Sequence, residues 1–237
     1  MFKILYHSVY FHLINYLRIK QAVFFSIAFP IFLFLVFGNI WGIDQEEYVA
    51  SLFTGVMGMT IASDGLFAIG PVIKEYYASG LIKYLRKLPM NILSYFIGLI
   101  ISRIISLFVV LVLLSIVSKF VFNYSPSPEQ IINIIAGIII GLFLFAFLGL
   151  TISFSGIKNG SEKGLINFVF FGILFTSDSF YPVGQFNSMV GAIGDALPLN
   201  PILHILRGEE KNLLVMLWLI VPIILFSLLF RRVKFAR

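Results

Sequence analysis

Long apolar runs separated by short charged breaks constrain this chain more than any other feature. A helix needs about 20 apolar residues to cross a hydrocarbon core of about 30 Å. Runs of that kind occupy Ala22–Trp41, Val49–Ile73, Ile92–Val117, Ile131–Ser155 and Leu213–Phe230. Leu165–Ser177 is apolar but shorter, and as a helix it covers only about 20 Å. Lipid offers the backbone no hydrogen-bond partners, so runs like these are expected to be helical. Of 237 residues, 59% are hydrophobic and 12% are charged, whereas a soluble domain carries about 25% charged residues. The pattern predicts an all-α polytopic membrane protein forming one transmembrane domain over residues 1–237.

The breaks supply orientation. Met1–Lys20 repeats Phe2, Leu5, Val9, Leu13, Tyr16 and Leu17 at helical spacing, with polar groups on the other face. It reads as an amphipathic helix in the membrane interface, ending by residue 21, rather than as a cleavable leader. Pro30 predicts a kink in the first span, and Gly55, Gly58, Ala62, Gly65 and Gly70 predict close packing along the second. Residues 74–90 are charged and amphipathic. Residues 178–207 are broken by Pro182, Gly184, Gly191, Gly194, Pro198 and Pro201.

If the N-terminus lies inside, the inner segments hold Lys3, Arg18, Lys20, Lys74, Lys83, Arg86, Lys87, Lys158, Lys163 and the basic C-terminal residues. The outer segments hold Lys119, Arg207 and Lys211. This bias predicts six spans with both termini cytoplasmic. A full crossing by residues 186–206 would move the basic C-terminus outside. The stretch 178–207 is therefore expected to dip in from the outer side and return, with Asp178 as a helix cap. The net charge of +6 then serves orientation and lipid headgroups rather than nucleic acid.

Two motifs, in this topological order, resemble the permease subunit of type-2 ABC exporters over nearly the whole length. One is Glu75, Gly80-Leu81, Leu85 and Leu88-Pro89; the other is Tyr181-Pro182, Leu199-Asn200-Pro201 and Leu206-Arg207-Gly208. The resemblance implies a cytoplasmic coupling helix after the second span and a re-entrant extracellular hairpin between spans five and six. It also implies a second permease copy, in a homodimer or heterodimer, and separate ATP-binding cassette ATPase subunits that bind ATP and Mg. Its coupling residues would be Glu75, Gly80, Leu81, Tyr84, Leu85, Arg86, Lys87, Leu88 and Pro89, and its extracellular gate Tyr181, Pro182, Asn200 and Pro201. Lys74 stands where the family often has another charged residue, and the short outer loops argue against a large external domain.

The residues read on their own agree with a driven, non-enzymatic chain. There is no Gly-x-x-x-x-Gly-Lys-Ser/Thr cradle for nucleotide phosphates, and Gly160–Gly164 reads as a solvated turn. Cysteine is absent, so thiol chemistry and cysteine-ligated metal are excluded. His7, His12 and His204 are isolated, giving no metal set, and no catalytic triad or paired carboxylates stand out. In the coupling segment Tyr77, Leu81, Tyr84, Leu85 and Leu88 fall near one helical face, and Lys83, Arg86 and Lys87 near another. That face suits an ATPase groove or anionic lipid; the resemblance favours the ATPase.

Asp64 and Arg103 fall within spans, about 13 and 16 Å from the predicted inner ends. Intramembrane charges rarely face lipid, so the pair is expected to form an ion pair locking the second and third spans. Contact with a charged substrate is the alternative. Abundant phenylalanine suits packing, or a path for a hydrophobic or amphipathic cargo such as a drug, antibiotic, lipid or peptide. A lipid-linked polysaccharide is the rival cargo. An ATP-independent channel or secondary transporter is the rival class, and it would call for inverted repeats or several buried ion-coupling residues.

Overall fold

The computed structural model describes residues 2–43, 45–88, 91–157, 161–209 and 213–232. Helix α1 is Phe2–Arg18. The first span, α2, is Lys20–Trp41. The next two elements are α3, Glu46–Ala78, and a short α4, Leu81–Leu85. Then come α5, Ile92–Phe122, α6, Pro128–Ser153, and α7, Ser161–Thr176. The chain closes with α8, Ser188–Ala196, α9, Leu199–Arg207, and α10, Leu214–Arg232. Five of these helices are long and apolar enough to cross a membrane. Helix α7, with 16 residues, reaches about 24 Å.

Ring and hydrogen-bond contacts fix the directions of the helices. Trp41 meets Tyr48 and Tyr181 at one end of the bundle. Phe230 meets Tyr77 and Phe154 at the other. Helices α2, α5 and α7 therefore run away from the Gly80 end, and α3, α6 and α10 run back to it. Arg207 donates from Nη2 to the Asp178 carbonyl at 2.7 Å, so the segment between them leaves and returns at the end opposite Gly80. Inside it, α8 and α9 are bent 83° to each other.

Helix α3 is the axis, packed by α2, α5, α6, α7 and α9. Its small residues explain the closeness. A Cβ on Gly55 would lie 1.6 Å from the Ser179 carbonyl oxygen, and one on Gly70 would lie 2.3 Å from the Gly149 backbone. Lipid gives helices no hydrophobic drive to associate, so such backbone approach carries the packing.

The kink in α2 takes a specific form. Pro30 has no N–H, which leaves the Ser26 carbonyl without its normal partner. The preceding turn, Phe24–Ala28, widens into a π-helix closed by Phe29 N–H on the Phe24 carbonyl.

Helix α1 lies along the start of α5, with Ser8 Oγ donating to the Tyr95 carbonyl at 3.1 Å. Of its apolar stripe, Leu5, Val9 and Leu13 are half-buried and Tyr16 is buried. Ser8, His12 and Tyr16 are the buried face, while Tyr6, Tyr10, Phe11 and Leu17 are exposed. Ser8 finds its partner on α5, and the His12 and Tyr16 rings pack against Tyr95 and the Arg103 guanidinium.

Candidate functional site

At the Gly80 end, α3 continues through Lys74 and Glu75 to Ala78 instead of stopping at Ile73. Lys74 bonds Glu162 at the start of α7, so the charge that was read as a span boundary is paired. Glu75 is exposed on the last turns of α3. Gly80 then adopts φ 76°, a left-handed conformation that glycine takes without strain. It reverses the chain into α4.

Ile82 and Leu85 are buried with Tyr95, flanked by Leu81, Tyr76, Tyr77 and Ile92. Lys83, Arg86 and Lys87 are exposed, as are Tyr84 (63%) and Leu88 (39%). The two faces therefore divide differently from the expectation. Leu85 anchors α4 to the bundle, and Tyr84 and Leu88 share the outer surface with the basic residues. Pro89 lies outside the described residues.

At the opposite end, Asn200 is the internal brace of the 178–207 segment. Its Oδ1 accepts the Asp178 N–H at 2.9 Å, and its Nδ2 donates to Asp195 Oδ1 at 2.9 Å. Asp178 Oδ1 accepts the Val183 N–H at 2.9 Å, capping a 3-10 turn at Val183–Gln185. Arg207 also donates from Nε to Thr54 Oγ1 at 3.2 Å, and the Tyr48 hydroxyl donates to the Phe180 carbonyl at 3.1 Å. These bonds fasten the segment to α3. Pro201 is buried. Pro182 precedes the 3-10 turn, and the Tyr181 ring lies 4.2 Å from the Phe186 ring, centroid to centroid.

Between the two ends lies a cavity of about 680 Å³ lined from α1, α2, α3, α5 and α7. Asp64 and Arg103 both line it and are only 3% and 8% exposed. The expected ion pair does not form; among the described residues the Lys or Arg paired with a carboxylate is Lys74, with Glu162. Instead Ser26, on the π turn, donates to Asp64 Oδ1 at 2.9 Å. The Arg103 guanidinium lies 4.5 Å from the centroid of the Tyr16 ring, in cation–π geometry.

Counting residues estimated depth but not direction around the helix axis. It also began from Ile73, whereas α3 ends at Ala78, which sets Asp64 about 21 Å from that helix end. Helix propensity alone would not have revealed Ser26 or Tyr16 as partners. The i, i+4 spacing of Ser8, His12 and Tyr16 was the available signal.

Four residues around the cavity hold buried polar atoms with no hydrogen-bond partner: His12 Nε2, Tyr16 OH, Asp64 Oδ2 and Arg103 Nε. Each such atom costs about 1–3 kcal/mol, more where it is charged. Burial, with the Arg103 cation adding to it, pushes His12 down to about 4, so the imidazole is neutral near pH 7. The arrangement has no nucleophile-and-base set, and among the described residues no cluster of His, Asp and Glu could hold a metal.

Comparison with known proteins supplies the family. The model of the family described as ABC-2 type transporter matches residues 5–210. Among curated proteins none matches the chain.

Proposed function

We infer, because the chain belongs to the ABC-2 type transporter family and so is a membrane-spanning subunit of an ABC-type transporter, that it serves an ATP-driven exporter. Its cargo would be a hydrophobic or amphipathic molecule. Separate ATPase subunits bind ATP, and a second permease copy completes the path. The Gly80 end faces the cytoplasm of the plasma membrane, and the hairpin closes the outer mouth with Tyr181, Pro182, Asn200 and Pro201.

The observation that carries this reading is the build of α4. Ile82 and Leu85 bury one side of a five-residue helix, while Lys83, Tyr84, Arg86, Lys87 and Leu88 stand outward. A short helix so anchored passes a push to the ends of α3 and α5 without deforming first. Its outer face mixes an aromatic ring with cations, the residue types that concentrate binding energy at protein interfaces. Glu75 and Leu81 border that face, and Gly80 sets its angle.

The test is co-purification with the ABC ATPase that the unmodified chain retains. Tyr84→Ala with Arg86→Glu removes the ATPase from the complex while the permease remains folded. Retention of the ATPase at the unmodified ratio contradicts docking at α4.

A further inference from the structure

The cavity holds more unmet hydrogen-bonding capacity than packing accounts for. The described residues contain six buried side-chain atoms without a partner, and four of them belong to residues lining this one space. Apolar and aromatic walls, Phe67, Phe170 and Leu99 among them, alternate with Asn15, Gln21, Ser63, Asn167 and a second cation, Lys163. Ile19, Phe25 and Phe171, which also line it, are about half exposed and form an apolar rim. A volume of about 680 Å³ falls in the range of small-molecule sites, about 300–1,000 Å³. The π turn that aims Ser26 at Asp64 is a device that recurs at functional sites.

The polar groups define the ligand. Arg103 carries a permanent positive charge and has not spent it on Asp64. A purely cationic ligand would meet Arg103, and a purely anionic one would meet the Asp64 carboxyl. A choline group has no N–H to give Asp64 Oδ2. A phosphate joined to a primary ammonium satisfies both sides, and the hydrocarbon attached to it lies on the phenylalanine wall and leaves through the apolar rim.

We propose that this cavity binds an amphiphile with a phosphate-plus-primary-ammonium headgroup. Arg103 and the His12 ring take the phosphate, Asp64 takes the ammonium, and the Tyr16 hydroxyl completes the shell. Binding of this kind needs neither ATP nor a partner chain, so it goes beyond the exporter reading and stands or falls separately from it. It applies to a cargo and to a resident lipid alike.

The test uses the full chain in phosphatidylcholine nanodiscs containing trace phosphatidylethanolamine labelled on an acyl chain. Saturable binding is expected, about tenfold or more tighter than for phosphatidylcholine or phosphatidylglycerol with the same chains, as the loss of a charge-assisted bond implies. Asp64→Asn and Arg103→Gln should each weaken it by about tenfold, and Arg103→Lys by less. Soluble phosphoethanolamine should compete only at far higher concentration, because it lacks the hydrocarbon.

Equal affinity for the ethanolamine and choline lipids overturns the proposal, and this comparison needs no variant to fold. Unchanged binding in both folded variants overturns the assignment of Asp64 and Arg103. Competition by soluble phosphoethanolamine at lipid-like concentration overturns the amphiphile as ligand.

Discussion

Replacing Gly55 by alanine probes the join between α3 and the hairpin most sharply. The added Cβ would sit 1.6 Å from the Ser179 carbonyl oxygen, where ordinary contacts begin near 3.4 Å. The backbone of the turn must therefore retreat by about 1.8 Å, which exceeds what side-chain rotation can absorb. A shift of that size breaks the Tyr48 bond to Phe180 and the Arg207 bond to Asp178, now 3.1 and 2.7 Å long. Overpacking costs about 1–3 kcal/mol, and each lost bond about 1 kcal/mol. The sum is roughly 3–5 kcal/mol.

Gly172→Ala is the control. Nothing lies within 4 Å of its Cβ, and alanine favours the helix by up to about 1 kcal/mol. The assay is thermal unfolding in detergent, followed by tryptophan emission. Both tryptophans report on the hairpin, since Trp41 lies 6.2 Å from the Tyr181 ring and Trp218 Nε1 donates to the Ala196 carbonyl. Gly55→Ala should melt well below the parent, with red-shifted emission in the native baseline. Equal melting of Gly55→Ala and the parent would refute the close approach.

Three further outcomes follow from the same geometry. Lys74→Ala and Glu162→Ala should each destabilise the Gly80 end by about 1 kcal/mol, because the pair is partly exposed. The Lys74→Glu, Glu162→Lys swap should restore most of that in a double-mutant cycle, and no restoration denies the pair. Asn200→Leu keeps the branched outline but strands the Asp178 N–H and Asp195, so a loss of at least about 2–3 kcal/mol is expected in denaturant titration.

Acid should also loosen α1. With His12 held near 4 when docked and near 6.5 when free, the undocked state binds the extra proton between those values. Docking is therefore at full strength above pH 6.5 and weakens as pH falls toward 4, by at most about 1.4 kcal/mol per pH unit. Hydrogen exchange of α1 at pH 7 and pH 5, corrected for intrinsic rates, reads this directly. A pH dependence that survives in His12→Gln would point elsewhere.

The spans were legible in the sequence because about 20 apolar residues in a row have few alternatives in lipid. Their ends were less so. Charge suggested that α3 stops at Ile73, yet Lys74 is neutralised by Glu162 and the helix runs to Ala78. The third span was expected to end at Val117 and runs to Phe122, where Asn123 turns left-handed at φ 54°.

The small residues of α3 announced close packing, which is a local signal. Leu199-Asn200-Pro201 was read only as part of a gate, and the bracing bonds of Asn200 depend on Asp178 and Asp195, which the motif does not contain. The cavity was harder to foresee because it depends on rotation about five helix axes. A single π residue before Pro30 turns Ser26 onto Asp64, and periodicity at 100° per residue carries no trace of that shift. The burial of Ser8 and His12 against α5 was likewise not legible, because amphipathic spacing shows two faces but not what packs on either.

The central claim is that this chain has no engine of its own and is moved through α4. Vesicles reconstituted with the permease and the ABC ATPase that co-purifies with it should move a hydrophobic or amphipathic cargo only when ATP is supplied on the Gly80 side. Tyr84→Ala with Arg86→Glu should abolish that flux and leave the vesicles tight. Sustained flux by the permease alone, without nucleotide or ATPase, would contradict the account.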